Sequence, residues 1–287
     1  MLNGHPRLAL PRESHFITEL TPRRPDRPPD PELLERILEH PMFARWGADA
    51  ATVRVAVGRA DPSTYAELID AVFRAYAQAQ GRPRWGDKTP RYVVHIPLLA
   101  RLFPGAQFVH VIRDGREVAT SVAEQSWGAR TGTMGALWWR RHVAIGIRHG
   151  RRLGPGRYRE LRLEDLVAAP ERALRGLCEF LDEAYAPEML EYPARIAVSR
   201  SQLGPDTRHL LEPPTSALRD WRAGLTLWQQ RSVTAVCRPL LTELGYPAPH
   251  VDPAGLACAH AARLGELLAR PSAVIRDRVD VIVRNRL

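Results

Sequence analysis

Residues 84–90, which read RWGDKTP, contain Lys88, the single lysine of the chain. Every other basic residue is an arginine, in a chain that has 41 lysines and arginines against 32 acidic residues. Arginine presents a rigid planar fork, whereas lysine is a compact, mobile point charge that suits a centre where negative charge develops during a reaction. The simple alternative is a surface lysine retained by chance, so the neighbouring residues must decide.

A second segment with chemical potential begins at residue 107 and reads QFVHVIRDGR. Its short β-branched apolar run predicts a strand, and the pattern after Gly115 predicts a helix. A strand that opens into a helix offers free backbone N–H groups, and an arginine there can bind a phosphate through two N–H groups at once. Arg113 is therefore a candidate anion ligand. The alternative is an ion pair with a nearby carboxylate.

The pattern of apolar residues predicts alternating helices and strands, which is typical of an α/β domain with a parallel sheet. The proline-rich loop 21–32 precedes a short helix that begins near Pro31. The later predicted helices are 61–80, 92–103, 134–152, 164–181 and 225–244, followed by two beyond Asp252, and the predicted strands are 107–112 and 157–163.

Composition excludes some classes of protein and leaves others open. Nothing at the start of the chain resembles a signal peptide, and no apolar run is long enough to span a bilayer, so we expect a cytoplasmic protein. Cys178, Cys237 and Cys258 lack disulfide or zinc spacing and predict reduced, mostly buried thiols. The net charge of +9 would suit a polyanionic partner. Because the basic residues are almost all arginine, a codon preference explains this charge equally well.

Several segments together resemble the sulfotransferases that use 3′-phosphoadenosine-5′-phosphosulfate (PAPS). They keep the same order and a similar spacing over about residues 5–247, and the resemblance is to the bacterial-type branch, which is closer to the tyrosylprotein sulfotransferases than to the cytosolic small-molecule enzymes. The matching segments are RWGDKTP at 84–90, FPGA at 103–106, FVHVIRDGR at 108–116, LEDL at 163–166, WR at 221–222 and LGY at 244–246.

The resemblance implies a P-loop-like three-layer fold, with a central parallel sheet flanked by helices. It implies transfer of the sulfuryl group of PAPS to a hydroxyl or amine of a small-molecule or peptide acceptor, without a metal, and neither nucleic-acid binding nor a membrane span is expected. In the family, the arginine that ends a strand and a serine on the next helix bind the 3′-phosphate, which corresponds to Arg113 and Ser121. The matching lysine of the tyrosylprotein branch, Lys88 here, stabilises the transition state.

An acceptor hydroxyl must lose its proton as it attacks, so the reaction needs a general base. Residues 5–16, HPRLALPRESHF, resemble the segment in which tyrosylprotein-type relatives carry a catalytic glutamate shortly after a His-Pro pair. Glu13 is therefore the candidate base. His15 is the second candidate, since an unperturbed imidazole titrates near neutral pH, although a histidine beside Phe16 is more often a packed structural residue.

Two features depart from the family pattern. The family's loop for the 5′-phosphosulfate lies upstream of the His-Pro segment, so the first strand and this loop are expected to be missing. The favoured interpretation is a misassigned start codon, and the alternative is a fragment with weakened PAPS binding. Leu163 stands where relatives often have a tyrosine that contacts the cofactor. We expect a sulfotransferase domain over 1–250, incomplete at its N-terminus, and a helical tail over 251–287.

Two other classes of function stay open at this stage. Residues 81–89, GRPRWGDKT, nearly match the phosphate-binding loop of kinases and NTPases, although Asp87 intervenes before the lysine and Pro83 removes an N–H donor. A non-catalytic protein that binds nucleic acid or a membrane surface would use the net charge and the amphipathic segment 271–287. Packing of that segment against its own domain is the favoured alternative.

Overall fold

The computed structural model describes residues 1–124, 131–191, 220–250 and 253–269. The chain divides into two compact units. Among the described residues, the first unit takes in 1–106 and 169–191, and the second takes in 107–168, with its gap, and 220–269. The predicted amphipathic segment 271–287 lies outside the described residues.

The first unit contains a pair of parallel strands, in which Leu8 pairs with Arg84 and Ala9 with Trp85. Its core is aromatic: Trp46 contacts Phe16, Phe43 and Phe73 at ring-centroid distances of 5.4, 5.3 and 4.7 Å. In chain order, its elements are β1 (Leu8–Ala9), α1 (Phe16–Glu19), α2 (Leu33–Leu38), α3 (Pro41–Ala44), α4 (Ala50–Ala60), α5 (Tyr65–Ala79), β2 (Arg84–Trp85), a 3₁₀ helix (Pro90–His95), α6 (Ile96–Leu102) and, after the second unit's first segment, α10 (Pro170–Leu181).

The second unit contains another parallel pair, which runs from Phe108 opposite Tyr158 to Ile112 opposite Arg162. Two helices connect these strands, as parallel pairing requires a crossover. Its elements are β3 (Phe108–Ile112), α7 (Gly115–Ala123), α8 (Gly132–Arg151), β4 (Tyr158–Arg162), α9 (Leu163–Ala168), α11 (Leu227–Glu243) and α12 (Pro253–Ala269). The apolar faces of α7, α8 and α11 share one core around Ile112, Trp139 and Val236.

The expected α/β class with parallel strands is confirmed, and the central sheet and the missing first strand stay predictions. The strands expected at 107–112 and 157–163 are β3 and β4. The helix expected over 164–181 is two helices, because Pro170 opens α10 as its first residue. The helix expected over 92–103 begins with a 3₁₀ segment before α6. Cys178 and Cys237 are buried free thiols, as expected.

Helices α7 and α8 approach so closely that one contact point has no room for a side chain. A β-carbon added at Gly135 would lie 2.5 Å from the carbonyl oxygen of Ala119 and 3.0 Å from its Cα. Both of these are backbone atoms, so the helices would have to move apart. Gly135 therefore fixes the position of α7, the helix that follows Arg113.

We expect the substitution Gly135→Ala to lower the free energy of unfolding by about 1–3 kcal/mol, because overpacking against a backbone cannot relax cheaply. The control is Gly58→Ala in α4, where no described atom beyond the adjoining residues and backbone of the same helix lies within 4 Å of the added carbon. Alanine in an open helical position should raise stability by about 0.5–1 kcal/mol. Urea unfolding of both variants measures the two effects, and equal stability of the two variants would contradict the prediction.

Candidate active site

Glu13 and Lys88 follow the two parallel strands of the first unit. Glu13 comes shortly after β1 and Lys88 shortly after β2, and the carboxyl ends of parallel strands meet at the same edge. The Lys88 ammonium donates a hydrogen bond to Oε1 of Glu13. The Lys88 side chain is 67% exposed and that of Glu13 is 32% exposed. The two residues that the sequence singled out separately, 75 positions apart, are thus in direct contact.

His15 contacts the other oxygen of the same carboxylate. Its Nε2 lies 3.2 Å from Oε2 of Glu13, and its Nδ1 lies 3.9 Å from Oε1 of Glu19. The backbone of His15 has φ of 55°, a left-handed conformation that is costly for a residue with a side chain. His15 therefore acts in the structure as a partner of Glu13, and both base candidates belong to one cluster.

The environment of Glu13 favours its ionised form. Burial alone would raise the pKa of this carboxyl, but hydrogen bonds and charges from Lys88 and His15 outweigh burial and hold the pKa below its ordinary value. Glu13 is consequently ionised near neutral pH. An ionised carboxylate can accept a proton, which is the property that a general base requires.

A ring of hydrogen bonds joins the segments that carry Glu13 and Lys88. The Ser14 hydroxyl donates to Oδ2 of Asp87, while the Ser14 backbone N–H donates to the Thr89 hydroxyl over 3.1 Å. The Thr89 hydroxyl in turn donates to Oδ1 of Asp87 over 2.9 Å. Since Ser14 gives its proton to Asp87, the Tyr92 hydroxyl donates to Ser14, with their oxygens 2.7 Å apart. This ring holds the two segments in register.

Arg113 immediately follows β3 in the second unit, and Asp114 caps the N-terminus of α7 by accepting from the Arg116 N–H. The Arg113 guanidinium contacts Glu117, with its Nε donating over 2.7 Å. Ser121 lies two helical turns beyond Arg113 and one turn beyond Glu117, so it shares their face of α7. The ion pair that was the alternative for Arg113 is therefore present.

The turn at Arg113 is supported by residues from distant parts of the second unit. Glu164 accepts from the Asp114 N–H over 2.9 Å and from the Tyr246 hydroxyl over 2.7 Å. Trp139 donates its indole N–H to the Arg113 carbonyl over 3.1 Å, and its ring occupies the space that a β-carbon on Gly115 would need. Glu164 and Tyr246 belong to the LEDL and LGY segments, so these segments position the turn.

The phosphate-loop interpretation of residues 81–89 is wrong. Such a loop needs free backbone N–H groups, but those of Arg84 and Gly86 donate to the carbonyls of Arg7 and Ala9 in the β1–β2 ladder. The N–H groups of Gly81 and Arg82 likewise donate to carbonyls at the end of α5. The segment contains a short strand with its turns, and the N–H groups of Gly81, Arg82, Arg84 and Gly86 are committed within the protein.

Among the described residues, no cluster of three or more His, Cys, Asp or Glu side chains is arranged to hold a metal ion. No described helix combines the length and apolarity needed to cross a membrane.

The chain is similar in sequence to known proteins of one family. The model of the Sulfotransferase family matches residues 1–187, which is more than half of the sequence. The chain belongs to the sulfotransferase family. The chain is 28% identical over 178 residues to protein-tyrosine sulfotransferase 1 of Danio rerio, which covers 58% of this chain and 49% of that one. Similarity to the tyrosylprotein branch, expected from the motifs, is thereby confirmed.

Two further matches extend the comparison. The chain is 34% identical over 117 residues to an uncharacterised protein of Aquifex aeolicus, covering 38% of this chain and 15% of that one. The chain thus spans half or less of the length of the Danio rerio and Aquifex aeolicus relatives. The sulfotransferase domain of the Synechococcus PCC 7002 olefin synthase has the same fold, with a TM-score of 0.61 at 21% identity, over 86% of this chain and 89% of that one.

Asp87 provides a test of the hydrogen-bonded ring, because burial raises its pKa from 3.8 to about 6. The protonated carboxyl is favoured in the folded protein, so its contribution to stability is present below about pH 4 and is lost as the pH rises through about 6. The asparagine of the Asp87→Asn variant carries no charge at any pH. Between pH 4 and pH 7, the unfolding free energy of Asp87→Asn should therefore rise by roughly 2–3 kcal/mol relative to wild type.

The measurement is urea unfolding of both proteins at several pH values. The asparagine has one carbonyl oxygen for two hydroxyl donors, so a constant offset between the curves is expected and does not bear on the test. Parallel curves across this pH range would show that Asp87 does not titrate as its surroundings require.

Proposed function

We propose that this sulfotransferase moves the sulfuryl group of PAPS to a hydroxyl or amine of a small-molecule or peptide acceptor. The observation that carries the proposal is the contact between Glu13 and Lys88 beyond the ends of β1 and β2. A potential base and a mobile cation meet there, in the segments that resemble the family's catalytic segments. The expected cytoplasmic location stays a prediction.

PAPS supplies a sulfuryl group on a phosphate leaving group, and transfer is an in-line displacement in which positioning and charge neutralisation dominate. Glu13 takes the proton of the acceptor as the new bond to sulfur forms. Lys88 places its ammonium beside the oxygens that gain negative charge, including the bridging oxygen that keeps the electron pair of the broken bond. The ion pair keeps Glu13 ionised before the substrates bind.

Arg113 and Ser121 are proposed to bind the 3′-phosphate of the donor. Their fit rests on the strand-to-helix turn, on the guanidinium beside α7, and on the shared helix face. A guanidinium with two N–H groups directed at a phosphate gives the bidentate contact that such recognition uses. No step of the proposed chemistry requires a metal.

The proposal is tested by following ³⁵S transfer from PAPS to a panel of phenolic, alcoholic and amine acceptors. We expect Lys88→Ala to lower kcat by about 10²–10³-fold, because one transition-state cation is lost. Glu13→Gln should lower kcat by about 10²–10⁴-fold. Exposed Arg101 and Glu179 provide the matched controls Arg101→Ala and Glu179→Gln. Near-normal rates in both site variants, or Mg²⁺-ATP-dependent phosphoryl transfer instead, would overturn the proposal.

The ion pair also predicts a change in pH dependence. Glu13 is ionised above a pKa that lies below the ordinary glutamate value, so kcat/KM should fall only on the acid side of that value. Removing the lysine leaves burial as the main influence, which raises the pKa. The residual kcat/KM of Lys88→Ala should therefore begin to fall at a higher pH than that of wild type as the solution is made more acidic. An unchanged pH dependence would show that another group, such as His15, is the base.

A further inference from the structure

Glu117 lies between the two residues that are proposed to bind the 3′-phosphate. It is four positions after Arg113 and four before Ser121, so all three share one face of α7 and its entry. Its carboxylate is well buried, with 12% of the side chain exposed, and the Arg113 side chain is 27% exposed. A buried carboxylate next to a proposed phosphate ligand either competes with the phosphate or positions the arginine for it.

The geometry of the ion pair favours positioning. Nε of Arg113 donates to Oε2 of Glu117 over 2.7 Å, and Nη2 lies 2.5 Å from the same oxygen. A guanidinium has five N–H donors, and these contacts use the edge that contains Nε. Among the described residues, Glu117 is the one recorded partner of this guanidinium, so the fork formed by Nη1 and Nη2 remains for a bidentate ligand. The carboxylate and a phosphate can thus occupy different edges of one arginine.

The surroundings of Glu117 make its ionised form costly in free energy. Burial raises the pKa of this carboxyl, and the negative charges of Asp114 and Glu164 act in the same direction, while Arg113 opposes them. An acidic residue in such surroundings is maintained by its hydrogen bonds to the guanidinium. Without Glu117, the long arginine side chain would have to be ordered when the ligand binds, at a cost in conformational entropy.

We propose that Glu117 is a positioning residue that orients Arg113 for a 3′-phosphate and thereby sets the preference for 3′-phosphorylated nucleotides. This inference rests on the proposed function, since it takes Arg113 as the 3′-phosphate ligand. Glu117 acts through the guanidinium and does not itself contact the nucleotide.

The test compares the binding of 3′-phosphoadenosine-5′-phosphate with that of 5′-AMP by calorimetry, since the two differ only in the 3′-phosphate. Glu117→Ala should weaken binding of the 3′-phosphorylated nucleotide about tenfold and leave 5′-AMP binding unchanged. Glu117→Gln keeps an acceptor oxygen of the same reach and should recover most of the affinity. A purely structural role would weaken both nucleotides together.

A double-mutant cycle assigns the effect to Arg113. In an Arg113→Ala background, Glu117→Ala should cause no further loss, because its partner is already gone. Tighter binding of the 3′-phosphorylated nucleotide in both Glu117 variants would show that Glu117 competes with phosphate, and would overturn the inference. If wild type prefers this nucleotide and Arg113→Ala removes the preference, while Glu117→Ala keeps it, only this inference fails. If wild type shows no preference, the proposed function fails.

Discussion

Parallel strand pairing is the constraint on which both candidate site regions depend. Among the described residues, each unit has one parallel pair, and a parallel pair brings chain segments that are far apart in sequence to a common carboxyl edge. In the first unit this edge brings Glu13 to Lys88. In the second unit the end of β3 carries Arg113, and the end of β4 leads into the helix that carries Glu164. The polar side chains that follow each strand can therefore be contributed by loops without disturbing the cores.

Each candidate cation is paired with a carboxylate of its own unit. Lys88 has Glu13 and Arg113 has Glu117, and both carboxylates are more buried than the cations that they accompany. The two pairs differ in their electrostatics. The cations beside Glu13 hold its pKa low, whereas burial and neighbouring acids raise that of Glu117. The first arrangement keeps Glu13 in the ionised form that can accept a proton, and the second suits a group that holds an arginine in place.

The sequence predicted the elements whose pattern is local, such as β3, β4, α5 and α8. A short β-branched run or an alternation of residue types indicates a strand, and apolar residues at helical spacing indicate a helix. The sequence did not predict β1 and β2, which are two residues long and are defined only by each other. The site residues Glu13, Lys88, Arg113 and Ser121 were found through motifs. Their supporting partners Ser14, Asp87 and Glu117 were missed, since a contact across 73 positions leaves no local pattern. The one sequence signal for this role of Glu117 was its spacing, since an acidic residue four positions from an arginine on a helix can pair with it.

The single lysine has a practical consequence for spectroscopy. Isotopic labelling of lysine alone would give one side-chain ammonium signal from the whole protein, and it would come from Nζ of Lys88. The Lys88 side chain is mostly exposed, yet its ammonium is bound to a carboxylate, so the resonance would report the state of the ion pair without any substitution. Because every other basic residue is an arginine, one labelled lysine would report directly on the candidate active site.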